Sequence, residues 1–217
     1  MKNESMQPGF DPYQPLEQSL KFGDTLNRWI LWQPRQKIAR LLAGQRVLDV
    51  CCGTGNLSAM LVAAGCQVTG VDSSPTMLSH ARGKGLQAEF QQMDATGLPF
   101  RQEFDAAVIG LALHEMPAPV REKVWEMMRL AVRPNGRLLA LDYAAALKDS
   151  FAARLAARLI DQDEREFLKI YAEHYYNFQK FMQDGGLPGW VRKQGQTLQA
   201  DYRFLGGTVA VVVAGVA

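Results

Sequence analysis

Apolar residues recur along this chain in two alternating rhythms. Short apolar runs at Val47-Leu48-Asp49-Val50, Gln67–Val71, Ala88–Met93, Phe104–Gly110 and Arg137–Tyr143 read as strands. Between them lie stretches whose apolar residues fall three and four apart, as on one helix face: Leu57, Met60, Leu61 and Ala64, then Val120, Val124, Met127, Met128 and Ala131. A further helix opens at Ser73-Ser-Pro-Thr-Met77, where Ser74 can cap and Pro75 fits the first turn. Phe104–Gly110 is continuously apolar after Asp105, the signature of a parallel strand covered on both faces. Ahead of this alternation, residues 1 to about 23 read as a loose arm and Asp24–Leu42 as a helix that Pro34 breaks. Beyond Tyr143 the rhythm changes. Residues 144–186 carry two charged helical patterns separated near Asp161-Gln-Asp163, and the second holds an aromatic stripe: Phe167, Tyr171, His174, Tyr175, Phe178 and Phe181. Thr197–Leu205 and Thr208–Ala214 then pair as a hairpin over Gly206-Gly207. Strand and helix in alternation predict one α/β domain built on a mostly parallel sheet, with no internal repeat.

The chemistry concentrates at Asp49-Val-Cys-Cys-Gly-Thr-Gly55, a strand followed by a glycine turn and a helix. Glycine lets a ligand approach the backbone, and the helix start offers free N–H groups. The next strand ends on Asp72, where an acid can bond ribose hydroxyls. A dinucleotide fingerprint would need a third glycine where Ser58 stands, and Asp49 would repel a pyrophosphate while suiting a cationic ligand.

Asp-x-x-x-Gly-x-Gly with an acid after the second strand resembles the class I S-adenosylmethionine methyltransferases, and Val-Leu-Asp-Val-Cys-Cys-Gly-Thr-Gly is similar to their ubiquinone and menaquinone C-methyltransferase branch. The resemblance implies a Rossmann-like, seven-stranded, mostly parallel sheet with helices on both faces and a C-terminal antiparallel hairpin. It also implies that Gly53, Gly55 and the Cys51 backbone line the methionine end of S-adenosylmethionine. Asp49 would anchor the turn and the amino group, Asp72 the ribose, and Ser73 and Met77 would lie beside it. Asp94-Ala95 followed by Leu98-Pro-Phe100 matches the family's adenine-side turn, which gives Asp94 a bond to the adenine amino group; a turn cap is its plainer role. By the same resemblance the chain divides into an arm and helical cover over 1–45, a cofactor core over 46–143, a substrate lid over 144–190 and a closing hairpin over 191–217.

For catalysis the candidates are His114, at the carboxyl end of the fourth strand, with Tyr143 and His174; each could assist proton loss from a quinol acceptor, and each has a packing role as its alternative. Glu115 reads as a surface or helix-start acid. The expected reaction is methyl transfer to a small or lipidic acceptor, leaving S-adenosylhomocysteine. Other chemistry on the same cofactor, or a binding partner without activity, are the alternatives. With 24 basic and 22 acidic residues in 217, no dominant nucleic-acid surface is expected. Cys51, Cys52 and Cys66 lack zinc spacing, so buried reduced thiols, no metal and a cytoplasmic setting are the expectation. Trp29 and Trp32 with Arg28, Arg35, Lys37 and Arg40 suit either peripheral contact with a membrane through the arm or packing on the domain. The tail from Thr208 is too short to span a bilayer.

Overall fold

The computed structural model describes residues 11, 14, 30–146, 151–166 and 172–216. Helix α1 (Trp32–Leu42) leads into β1 (Arg46–Val50), α2 (Asn56–Ala63), β2 (Gln67–Asp72), α3 (Pro75–Gly83), β3 (Ala88–Gln92) and β4 (Phe104–Gly110). Then come α4 (Ala118–Ala131), β5 (Val132–Tyr143), α5 (Phe151–Glu166), α6 (Ala172–Gln183), α7 (Gly186–Lys193), β6 (Leu198–Phe204) and β7 (Val209–Gly215). The strands form one sheet ordered β3-β2-β1-β4-β5-β7-β6. β1 to β5 run parallel, while β7 lies antiparallel between β5 and β6.

Side chains alternate across this sheet because the strand period is two. Leu48, Val50, Ile109, Leu138 and Ala140 face one layer, closed by Val124 and Met128 of α4 and by Trp190 and Val191 of α7. Val47, Val68, Val108, Leu139 and Leu141 face the other, closed by Ile38 and Leu42 of α1 and by Leu57 and Leu61 of α2. Asp49 shares the parity of Val47, and Asp142 that of Leu138 and Ala140, so two buried acids stand on opposite faces at the carboxyl ends of β1 and β5, the parallel strands on either side of β4. Those ends are where the glycine turn after β1 and the His114 segment after β4 sit side by side, since β1 pairs with β4.

The break expected at Pro34 falls three residues earlier: Ile30 is helical, Leu31 is a turn, and α1 starts anew at Trp32 with Pro34 in its first turn, where its missing N–H removes no bond within α1. Three features differ from expectation. Asp161-Gln-Asp163 does not separate two helices, because α5 continues through it to Glu166, with Asp161 bonded to Arg165 one turn on at 2.8 Å. β5 begins at Val132 rather than at Arg137, and residues 133–136 form an irregularity in its pairing with β4. Helix α7 is unannounced by its glycines: a Cβ on Gly189 would overlap the Asp184 carbonyl, so glycine there serves close packing rather than a break. Trp29, Arg28, Phe167 and Tyr171 lie outside the described residues, and no described helix is long and apolar enough to cross a membrane.

Candidate functional site

The glycine turn is held from three sides. Gly53 and Gly55 take φ of 54° and 78°, and Cys51, a non-glycine, also sits in the left-handed region at 53°. The glycines adopt this backbone freely, but at Cys51 it costs about 1–3 kcal/mol and persists only where neighbours impose it. Asp72 is one neighbour: its Oδ2 accepts the Gly53 N–H at 2.8 Å and its Oδ1 the Ser74 N–H at 2.9 Å. Each oxygen keeps a second lone pair, which leaves acceptor capacity for a hydroxyl. Lys84 is the second, donating to Thr54 O at 2.6 Å and to Asn56 Oδ1 at 2.8 Å. Asp49 is the third: 1% exposed, it accepts the Ser58 hydroxyl at 2.5 Å and so ties β1 to the first turn of α2. Burial pushes the Asp49 carboxyl up to about 7, against the pull of Ser58 and Arg35; burial also raises Asp72, against its backbone N–H partners.

The other expected cofactor residues lie around this turn. Met77 is buried on α3, its N–H capped by the Ser74 hydroxyl at 3.0 Å, and Ser73 is exposed before it. Asp94 is exposed and caps the turn at Ala95–Gly97, its Oδ1 taking the N–H and the hydroxyl of Thr96 at 2.8 and 2.7 Å. Asp11 joins the group unannounced: its carboxylate accepts the Ser74 hydroxyl at 2.9 Å and the Thr76 N–H at 3.1 Å.

On the opposite face, Asp142 accepts four N–H donors, two per oxygen: Leu113 N at 3.0 Å, His114 N at 3.2 Å, Tyr143 N at 2.7 Å and His114 Nδ1 at 2.6 Å. A carboxylate so saturated fixes the His114 ring and leaves Nε2 as its outward nitrogen. Arg121 of α4, 2% exposed, clamps the same loop by donating to Leu113 O at 2.6 Å and Met116 O at 2.8 Å while lying over the Phe181 ring. Nε2 of His114 faces Glu164 Oε1 of α5 at 3.5 Å, and Glu164 Oε2 bonds His174 Nε2 of α6 at 2.6 Å. Burial alone would lower the His114 imidazole, but Asp142 and Glu164 outweigh it and hold it well above the ordinary histidine range. Burial would likewise raise Glu164, yet its bonds to both histidines bring it down to about 2. The Tyr143 ring packs against His114 with centroids 4.6 Å apart, and Phe178 stands edge-on to both.

All three expected catalytic residues, His114, Tyr143 and His174, therefore gather in one cluster. Glu115 is no surface acid: it is half-buried and its carboxylate oxygens lie 3.8 Å from His114 Nε2 and 4.0 Å from His174 Nδ1. Asp142 and Glu164 went unnoticed in the sequence. An acid closing the apolar run Leu138–Leu141 of β5 was a usable signal for the first; nothing local marks the second. Of the aromatic stripe, His174, Tyr175, Phe178 and Phe181 are buried, whereas Tyr176 on the same helix is exposed, as are Phe151, Leu155 and Leu159 on α5, Ile30 and Trp32 at the start of α1, Val120 and Leu205.

Residues 47–136 match a family model described as a methyltransferase domain. A demethylmenaquinone methyltransferase of Thermus thermophilus is 35% identical over 147 residues, 64% of this chain and 64% of that protein. A ubiquinone biosynthesis O-methyltransferase of Methylococcus capsulatus is 28% identical over 200 residues, 82% of this chain and 80% of that protein. The crystal structure of a SAM dependent methyltransferase from Aquifex aeolicus superposes with a TM-score of 0.61 at 19% identity, covering 96% of this chain and 100% of that one, a likeness of fold. The chain spans 43% to 64% of the length of the first four curated relatives that it matches.

Proposed function

We propose that this chain, whose residues 47–136 match a family model described as a methyltransferase domain, is a class I S-adenosylmethionine-dependent methyltransferase that methylates a hydroxylated, quinol-type ring, at a ring carbon. The observation that carries the reading is the Asp142–His114 pair at the end of β4 and β5, beside the glycine turn of β1. The residues present fit the cofactor: a Cβ on Gly53 would meet nothing within 4 Å, so the turn leaves open space where a ligand needs it. Gly53, Gly55 and the Cys51 backbone would hold the methionine end, with Asp49 bracing the turn for its amino group. Asp72, Ser73 and Met77 would hold the ribose side, and Asp94 with Ala95 the adenine. When bound, S-adenosylmethionine supplies a methyl group already activated on a sulfonium.

What remains for this chain is to align the acceptor, exclude water and move one proton. A quinol carbon becomes nucleophilic when its neighbouring hydroxyl is deprotonated. His114, held protonated in this cluster, first gives its Nε2 proton to Glu164 as an acceptor hydroxyl replaces that carboxylate against it, and Asp142 then presents the neutral Nε2 in the orientation to take the acceptor's proton. Tyr143 and Phe178 supply an aromatic wall for the ring, and His174, on the lid, holds Glu164 in place. Relatives named for demethylmenaquinone and for ubiquinone biosynthesis support a quinone-type acceptor; the second is named an O-methyltransferase, which keeps a ring oxygen as the alternative target. Peripheral contact with a lipid surface suits such an acceptor and is supported by the exposed Ile30, Trp32, Phe151, Leu155 and Leu159.

The test is transfer of labelled methyl to a demethylated quinol, with S-adenosylhomocysteine followed as product. His114→Ala should lower turnover roughly 100-fold or more with donor affinity retained. Unchanged turnover would remove His114 from the mechanism, and failure to bind the donor at all would remove the methyltransferase reading.

A further inference from the structure

The cluster beside the acceptor face has a composition that proton transfer alone does not require. Three buried donors reach it from three separate elements: His114 after β4, Glu164 on α5 and His174 on α6. His174 Nε2 lies 2.6 Å from one Glu164 oxygen, His114 Nε2 lies 3.5 Å from the other, and ligand atoms of all three fall within 4.8 Å of one another. We propose that His114, Glu164 and His174 bind one divalent transition-metal ion, zinc in the first instance, and that the ion ties the lid helices to the sheet.

Two imidazoles and one carboxylate are a donor set that zinc and its neighbours accept, whereas magnesium and calcium favour all-oxygen shells. Four ligands arranged tetrahedrally around zinc, with bonds of about 2.0–2.1 Å, stand about 3.3 Å apart. The separations of 2.6 and 3.5 Å between the Glu164 oxygens and the two histidines bracket that spacing, so side-chain adjustments of under about 1 Å would open the site. The surroundings are those of a built site. A metal-bound histidine characteristically donates its other nitrogen to a carboxylate, and His114 Nδ1 is bonded to Asp142 at 2.6 Å, which turns Nε2 inward. Asp142 is in turn fixed by the Leu113, His114 and Tyr143 backbone N–H groups. The Glu115 carboxylate lies 4.0 Å from His174 Nδ1, placed to serve the second histidine in the same way after a small closure. Tyr143 and Phe178 add an apolar border that limits solvent access. Three protein ligands leave a fourth position for water or for an acceptor oxygen. In that one respect the inference leans on the proposed reaction: with the ion present, an acceptor hydroxyl bound to it would release its proton to solvent water, and His114 would serve as ligand rather than base.

The test uses the full chain, stripped with chelator, dialysed and titrated with zinc chloride, with magnesium chloride as comparison and cobalt(II) chloride as spectroscopic probe. One equivalent of zinc per chain is expected, with a rise in melting temperature and no comparable response to magnesium. Cobalt should give a tetrahedral absorption spectrum without the thiolate charge-transfer band that Cys51, Cys52 or Cys66 would produce. Glu164→Gln and His174→Gln should each weaken zinc at least tenfold, and Asp142→Asn, which touches only the outer partner, should weaken it about 10- to 100-fold. Zinc uptake that survives in both ligand variants, or a thiolate band, would overturn the proposal. So would absence of uptake by the unaltered chain. Binding of S-adenosylmethionine is measured on the same samples: donor binding without zinc binding sinks the metal site alone, while loss of donor binding from the unaltered chain sinks the methyltransferase reading.

Discussion

Replacing Asp49 with Asn should stabilise the protein, and by an amount that grows with pH. Asp49 is 1% exposed with one short bond to Ser58, and burial lifts its carboxyl from 3.8 to about 7. For an acid raised on folding, the stability is fully present below the unfolded value of 3.8. It is lost as pH rises toward the folded value of about 7, because the unfolded chain ionises first. Between about pH 5 and pH 7 that loss spans two units, or about 3 kcal/mol at 1.36 kcal/mol per unit. Asn keeps the size of the side chain and an oxygen for Ser58 but does not titrate. Its new amide carries a cost of about 1–3 kcal/mol that does not change with pH, so the variation between the two conditions isolates the carboxylate. The assay is thermal unfolding of both proteins, without ligand, at about pH 5 and about pH 8. The melting temperature of Asp49→Asn minus that of the unaltered chain should rise by about 6–12 °C from the lower pH to the higher, at about 2–4 °C per kcal/mol for a chain of this size. A difference that stays constant would refute the reasoning, since it would mean that Asp49 is already ionised at the lower pH and costs nothing. The same variant should bind S-adenosylmethionine more weakly, so a gain in stability would accompany a loss of function.

Other outcomes follow from the same geometry. Asp72→Ala removes the acceptor of the Gly53 and Ser74 N–H groups, and calorimetric titration should show donor affinity down by roughly 100-fold. Gly53→Ala should fold, at a cost of about 1–2 kcal/mol for its φ of 54°, yet lose donor binding because the new methyl fills the open space at the turn; retained affinity would contradict the cradle. Leu155→Glu with Leu159→Glu alters side chains 48% and 59% exposed, next to the exposed Arg154 and Arg158, so unfolding should change little while flotation with anionic vesicles is lost. Equal flotation of the variant and the parent would take α5 out of any membrane contact.

The glycine turn and its acids were legible in the sequence because they are local. Asp49, Gly53 and Gly55 fall within seven residues of one strand and turn, and Asp72 closes the very next strand, so spacing alone could pair them. The strands were legible for the same reason: β4, Phe104–Gly110, is an apolar run bounded by clear breaks. The histidine cluster was not. His114, Asp142, Glu164 and His174 belong to four segments, and their meeting depends on how β5 pairs with β4 and how α5 folds back on α6. Composition also misled: the acids at 161–164 look like a solvated break, but Asp161 is used by Arg165 and by the Tyr175 hydroxyl at 2.7 Å, and Glu164 is turned inward. Asp11 gave no signal at all, since its role is to cap a helix start over sixty residues away.

The position of β7 bears on how the molecule comes into being. It is made after every other strand of the sheet, yet it is not an edge: Val209–Gly215 slots between β5 and β6 and pairs with both along its length. A nascent chain can therefore assemble β3, β2, β1, β4 and β5 as they emerge, but must carry β5 with an open, apolar edge until residues 209–215 arrive. Interrupted synthesis in the interval would release a species whose unpaired strand is a template for association with its own kind. The final insertion also closes the longest-range pairing of the sheet, which makes it the natural slow step of folding.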